Sequence, residues 1–223
     1  MRFAPYGIRE LTISGLCLGA TALALGTLHP AAVLFPAILF AWVLYFFRDP
    51  VRSVPPGDEL VVSPADGHVV DIQDMVEERY LKEPCVRVGI FLSIFDVHVN
   101  RSPIAGQVKE TRYTRGQFHH ANSPRATLEN EANDLWLFNP DLKLGMVLRQ
   151  ISGQAARRIV CACKVDDLLQ KGQKFGMIKF GSRTELYIPK ARLDSLKIDL
   201  GDRVKGGETI LAVLKTGEKG SSD

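Results

Sequence analysis

From Leu11 to Phe47, thirty-seven consecutive residues include no Lys, Arg, Asp or Glu. A stretch of that length is enough for two short bilayer spans of about 17–20 residues each. A cleaved signal peptide fits it poorly. The apolar run goes on too long, and it ends on Trp42, Tyr45, Phe46 and Phe47 rather than on a small-residue cleavage site. Thr27-Leu28-His29-Pro30 puts polar and helix-breaking residues near the middle. The pattern predicts an apolar α-helical hairpin over residues 1–50, split into two halves of about 17 residues each. Arg2 and Arg9 precede the run, Arg48 and Arg52 follow it, and the central turn has no charge. The positive-inside rule then places both ends, and everything downstream, on the cytoplasmic side of the cell membrane. A hairpin lying in one leaflet satisfies the same pattern.

Residues 51–223 change character. Short β-branched or aromatic runs recur, punctuated by Gly, Pro, Asn and Asp: 59–62, 69–72, 86–91, 108–113, 135–138, 144–151, 158–163, 175–180, 185–188, 197–198 and 209–214. Many short runs at this spacing predict a mainly β domain of sandwich or barrel type. Helical turns are expected only at Val165–Lys171 and near residues 93–100. The lack of βαβ alternation argues against a nucleotide-binding α/β sheet. Ser63-Pro64-Ala65-Asp66-Gly67, Ser102-Pro103-Ile104-Ala105-Gly106 and Gly201-Asp202-Arg203-Val204-Lys205-Gly206 resemble the strand-turn motifs of biotinyl and lipoyl carrier domains. That makes a carrier module, or a non-catalytic β domain tethered to the membrane, the rival reading. No Lys stands convincingly at a tight hairpin tip, as a carrier requires.

A net charge of +3 without a dense Lys/Arg run gives no footprint for nucleic acid. The four cysteines, Cys17, Cys85, Cys161 and Cys163, form no paired C-x-x-C motif and read as free reduced thiols. No His, Cys or carboxylate set has metal-ligand spacing.

Gly181-Ser182, between two strand-like runs, reads by itself as an ordinary turn. Its surroundings say more. VVSPADGHV, FLSIFDVHVNRSPIAG, the region from GQFHHAN to ENEAND, and GMIKFGSRTELYIP follow one another along the chain. In content and order they resemble the short bacterial phosphatidylserine decarboxylases, with archaetidylserine decarboxylases sharing the short form. The resemblance covers nearly the whole chain, including the apolar N-terminus.

It implies a proenzyme that cuts itself between Gly181 and Ser182, giving a β chain of residues 1–181 and an α chain of residues 182–223 that stay associated. Ser182 becomes a pyruvoyl group, which forms a Schiff base with the amine of the phospholipid substrate and serves as electron sink. No metal or external cofactor is implied. His98, in FDVHVN, matches a position the family uses and is expected as base or proton donor. Asp66, in SPADGH, is expected as its orienting carboxylate, on the logic of a nucleophile, a base and a group that fixes the base. Arg101 stands where longer members have a second histidine. His119 and His120 are expected near the substrate, with Arg101 a further contact for phosphate or carboxylate. His68 is a reserve base.

Overall fold

The computed structural model describes residues 2–154, 158–179 and 181–215. The chain divides into two compact units, Met1–Val51 and Arg52–Asp223.

In the first unit α1 (Ile8–Leu28) is followed by a short 3-10 turn, Pro30–Val33, and α2 (Leu34–Phe46). The break falls where the sequence put it. His29 leaves helical geometry, its ring Nδ1 accepts the Ala31 N–H, and Pro30 opens the next turn. The halves are unequal, however. Pro5–Leu28 is 24 residues with a mean hydropathy of 1.7, long and apolar enough to cross a bilayer, whereas Pro30–Phe46 is shorter.

The second unit is built from strands β1 (Leu60–Val62), β2 (Gly67–Glu77), β3 (Glu83–Leu92), β4 (Val99–Arg101), β5 (Gly106–Thr114), β6 (Ala132–Asn139), β7 (Leu144–Ser152), β8 (Arg158–Cys161), β9 (Leu168–Leu169), β10 (Lys174–Lys179), β11 (Ser182–Pro189), β12 (Leu193–Leu196), β13 (Arg203–Val204) and β14 (Ile210–Leu214). One short helix, α3 (Pro124–Glu129), interrupts them. An eight-stranded curled sheet runs β13-β2-β3-β11-β7-β6-β5-β9. Two three-stranded sheets, β4-β10-β8 and β1-β14-β12, complete the described unit. All of these ladders are antiparallel.

Alternation explains the core. Successive side chains in a strand point to opposite faces. One face of the large sheet presents Val88, Ile90 and Leu92 of β3, Leu186 and Ile188 of β11, Met146 and Leu148 of β7, and Leu135 and Leu137 of β6, all in one buried cluster. Each such side chain contributes about 1.5–3 kcal/mol on burial. β11 lies between β3 and β7, and its eight residues are all buried.

Three local expectations are corrected. Val165–Lys171 is not helical. Asp166 has φ of 73°, which ends any helix there, and Leu168–Leu169 pairs with β5. Residues 93–100 form a turn leading into β4, not a helix. The strand expected at Lys197–Ile198 lies earlier, at Leu193–Leu196. Phe180, at the end of the expected run 175–180, lies outside the described residues.

Candidate active site

β11 begins at Ser182, and its register is fixed on both sides: Ser182 stands opposite Leu92 of β3 and Ser152 of β7. By alternation Ser182 shares the core face with Thr184, Leu186 and Ile188. Its side chain is fully buried, and its Oγ has no hydrogen-bond partner among the described residues. A buried hydroxyl usually finds a partner, and leaving one unmade costs about 1–3 kcal/mol.

The polar groups nearest along the strand are all engaged with one another. Asn100 Nδ2 donates to Thr184 Oγ1 at 3.1 Å, and Gln150 Nε2 donates to Asn100 Oδ1 at 2.9 Å. Asn133 Nδ2 donates to Gln150 Oε1 at 3.2 Å. The network stops one step short of Ser182.

Gly181 precedes it in the left-handed region, with φ of 66°. A side chain there would meet nothing within 4 Å, so glycine serves the backbone angle rather than space. The Gly181 carbonyl oxygen lies against Gly153. A Cβ on Gly153 would stand 2.2 Å from it, a distance no packing tolerates.

His98 is fully buried beside this bond. Its Nδ1 lies 3.0 Å from the Asp96 carbonyl oxygen, which can only accept, so Nδ1 carries the proton. Nε2 then presents a lone pair and accepts the Gly181 N–H at 3.3 Å. Asp96 is held in turn by the Ser93 N–H at 2.9 Å and the Ser93 hydroxyl at 2.7 Å.

Among the described hydrogen bonds, His98 Nδ1 is held by the Asp96 carbonyl, whereas the Asp66 carboxylate is engaged elsewhere. Asp66 Oδ2 accepts from Arg52 at 2.7 Å, and Oδ1 accepts the Gly206 N–H at 2.9 Å. Burial holds the Asp66 carboxyl above the usual range, against the opposing pull of Arg52.

A cavity of about 290 Å³ abuts the bond from the Gly181 side, lined by Phe91, Ser93, Ile94, His120, Ala121, Gln154 and Gly181. His120 belongs to this lining and stacks on Phe91, ring centres 5.8 Å apart. His119 turns away to Glu129 at 2.8 Å. The segment carrying both is tied down by Asn130. Its Oδ1 accepts the His119 N–H, and its Nδ2 donates to the carbonyls of His119 and Ser152. Arg101 is outside the lining. It is buried, and its guanidinium donates to the Gly172 carbonyl at 3.1 Å. His68 is exposed, with Nδ1 3.3 Å from the Gly201 carbonyl oxygen.

Sequence reasoning missed Gly153, Asn130 and Asp96. Ser152-Gly153 looks like any strand end, and its meaning is visible only once Gly181 lies against it. No cluster of three or more His, Cys, Asp or Glu suited to a metal occurs among the described residues.

A buried, unpartnered hydroxyl next to a left-handed glycine, a histidine of fixed tautomer and an adjoining cavity form the candidate active site. The model of the phosphatidylserine decarboxylase family matches residues 39–212, and the chain belongs to that family. It is 47% identical over 178 residues to a phosphatidylserine decarboxylase proenzyme of Carboxydothermus hydrogenoformans, covering 80% of this chain and 82% of the relative. Proenzymes of the same name from Geotalea uraniireducens and Syntrophus aciditrophicus are 42% and 40% identical. They cover 81% and 80% of this chain and, in each case, 83% of the relative. The family match displaces the carrier-domain reading.

Proposed function

We propose that this chain is a self-processing, pyruvoyl-dependent decarboxylase that converts phosphatidylserine to phosphatidylethanolamine and carbon dioxide. The observation that carries this reading is the buried Ser182 hydroxyl, left without a partner immediately after a left-handed glycine.

In self-processing, Ser182 Oγ attacks the Gly181 carbonyl carbon, and an ester replaces the peptide bond between them. Gly181 reaches the bent backbone this needs without the penalty of about 1–2 kcal/mol that a Cβ brings in this region. His98 takes the hydroxyl proton by moving its Nε2 lone pair from the Gly181 N–H to the neighbouring Ser182 hydroxyl. Loss of the Ser182 α-proton expels the Gly181 carboxylate, which ends the β chain at residue 181. The dehydroalanine left at position 182 takes up water and releases ammonia, and the α chain of residues 182–223 then begins with a pyruvoyl group.

The orphaned Oγ and the adjoining cavity fit such a group at this position. Once formed, it supplies an electron sink for the charge left behind as carbon dioxide departs. His120, which stacks on Phe91 in the lining, meets the substrate head group, and His98 moves its proton. Asp66, with Arg52 and Gly206, holds the loop around it in place. Ser182 is absent from the cavity lining in the uncut chain, which gives cleavage a second role: freeing the Gly181 end opens the way to residue 182. The apolar N-terminal unit holds the enzyme at the cell membrane, where its lipid substrate resides, and the flanking arginines put the β unit on the cytoplasmic side.

Intact-mass analysis tests the reading. Wild-type protein gives two chains split after Gly181, the smaller with a blocked N-terminus. Ser182→Ala gives one chain and releases no carbon dioxide from phosphatidylserine. An uncut Ser182→Ala protein with full activity would overturn the scheme.

A further inference from the structure

Two thiols remain outside this chemistry. Cys161 ends β8, opposite Gly176 of β10, and the chain then turns so that Cys163 re-enters the core. Their Sγ atoms lie 3.3 Å apart and share a hydrogen bond. Cys161 is partly exposed, while Cys163 is 9% exposed. The two sulfurs are thus in direct contact, with Cys161 the more exposed residue of the pair.

Their acidities divide the same way. Hydrogen bonding from Cys163, assisted by the Asn133 amide, lowers the Cys161 thiol to about 7 against the cost of burial. The same shared proton pushes Cys163 upward. Cys85, which burial holds at about 12, shows what a merely structural thiol in this sheet is like.

We propose that Cys161 and Cys163 form a thiol–disulfide exchange site that takes low-molecular-weight disulfides and closes to an intramolecular disulfide. The Cys161 thiolate attacks one sulfur of the small disulfide. A mixed disulfide forms on Cys161, and the first small thiol leaves with a proton from solvent. Cys163 gives its proton to solvent and attacks the Cys161 sulfur, and the second small thiol leaves. Two protein thiols are oxidised and one small disulfide is reduced to two thiols. Closure brings the sulfurs from 3.3 Å to the bonded distance of about 2.05 Å.

The test uses the full-length protein and oxidised glutathione, followed by iodoacetamide labelling and peptide mass mapping. The expected result is a peptide containing residues 161–163 that has lost two hydrogens and takes no label, reversed by dithiothreitol, while Cys85 still takes label after denaturation. Cys163→Ser holds glutathione on Cys161 as a stable adduct, and Cys161→Ser leaves Cys163 unmodified. Full labelling of both cysteines in the treated wild type overturns the proposal. So does glutathione arriving on Cys163 in the Cys161→Ser variant at the wild-type rate, since the order of attack would then be wrong.

Discussion

At the scale of single residues, the bond proposed to be cut is shaped by what is missing around it. Gly181 lacks a Cβ, so it can hold φ of 66°, and Gly153 lacks one so that the Gly181 carbonyl oxygen can lie against it. Gly153→Ala places a methyl group 2.2 Å from that oxygen, and the carbonyl must move. Moving it changes the approach of Ser182 Oγ, and small misplacements of reacting atoms cost about a hundredfold in rate. A time course of chain splitting on a denaturing gel should therefore show Gly153→Ala cutting itself on the order of a hundredfold more slowly than wild type. Overpacking by one methyl costs about 1–3 kcal/mol of stability, so the variant still folds. Splitting at the wild-type rate would show that the contact is irrelevant to the reaction. The motifs pointed to Ser182 and His98, and the fold brings both to the Gly181–Ser182 bond. Gly153 was not legible, because a small residue at a strand end has no sequence signature that distinguishes close approach from an ordinary turn.

At the scale of elements, β11 is held from both faces. Its core face packs into the main apolar cluster, whereas its other face carries Arg183, Glu185 and Tyr187. Glu185 is fully buried and accepts three side-chain hydrogen bonds: Thr127 at 2.7 Å, Arg183 at 2.8 Å and Tyr187 at 2.8 Å. Thr127 comes from α3, so this carboxylate also fastens the helix over the strand. Arg183 has a second partner in Asp71 at 2.9 Å. Glu185→Ala leaves Arg183 buried with half of its compensation and should destabilise the unit by about 3 kcal/mol. Urea unfolding in the Ser182→Ala background, where one intact chain is compared with another, measures this. A loss below about 1 kcal/mol would mean that the network is solvated and contributes little.

The strands themselves were legible because their apolar residues alternate or run continuously between turn residues. Val165–Lys171 misled because Val165, Leu168 and Leu169 fall at helical spacing. In the fold the left-handed Asp166 breaks that spacing, and Leu168 and Leu169 simply point to opposite sides, one exposed and one buried. α3 was missed because six residues give too little periodicity to register. Asp66 was assigned to His98 by its place in a motif, but its partner Arg52 comes from fourteen residues upstream, beyond what spacing alone can reveal.

At the scale of the whole molecule, the chain comprises an apolar helical unit and a β unit. The β unit has its own core, drawn entirely from residues beyond 60. A chain lacking residues 2–50 should therefore still fold and split after Gly181, while losing its co-sedimentation with lipid vesicles. If the shortened chain sediments with vesicles as the full chain does, the tether lies elsewhere. Both properties can be read from one preparation, by pelleting and by gel.

The proposed cut falls at the first residue of the strand between β3 and β7. Before the cut, one polypeptide contains every instruction for assembling that sheet. Afterwards the middle strand belongs to a fragment of 42 residues, and the larger fragment alone would expose two long unpaired edges of the kind that aggregate. Reassembly becomes an encounter between two molecules competing with precipitation. The precursor, trapped as Ser182→Ala, should recover from urea in good yield at any dilution. The split protein should recover poorly, and least at high concentration; equal recovery for both would sink the idea. On the proposed cleavage, maturation would make folding a one-way event, and a mature molecule, once unfolded, would have to be replaced by new synthesis.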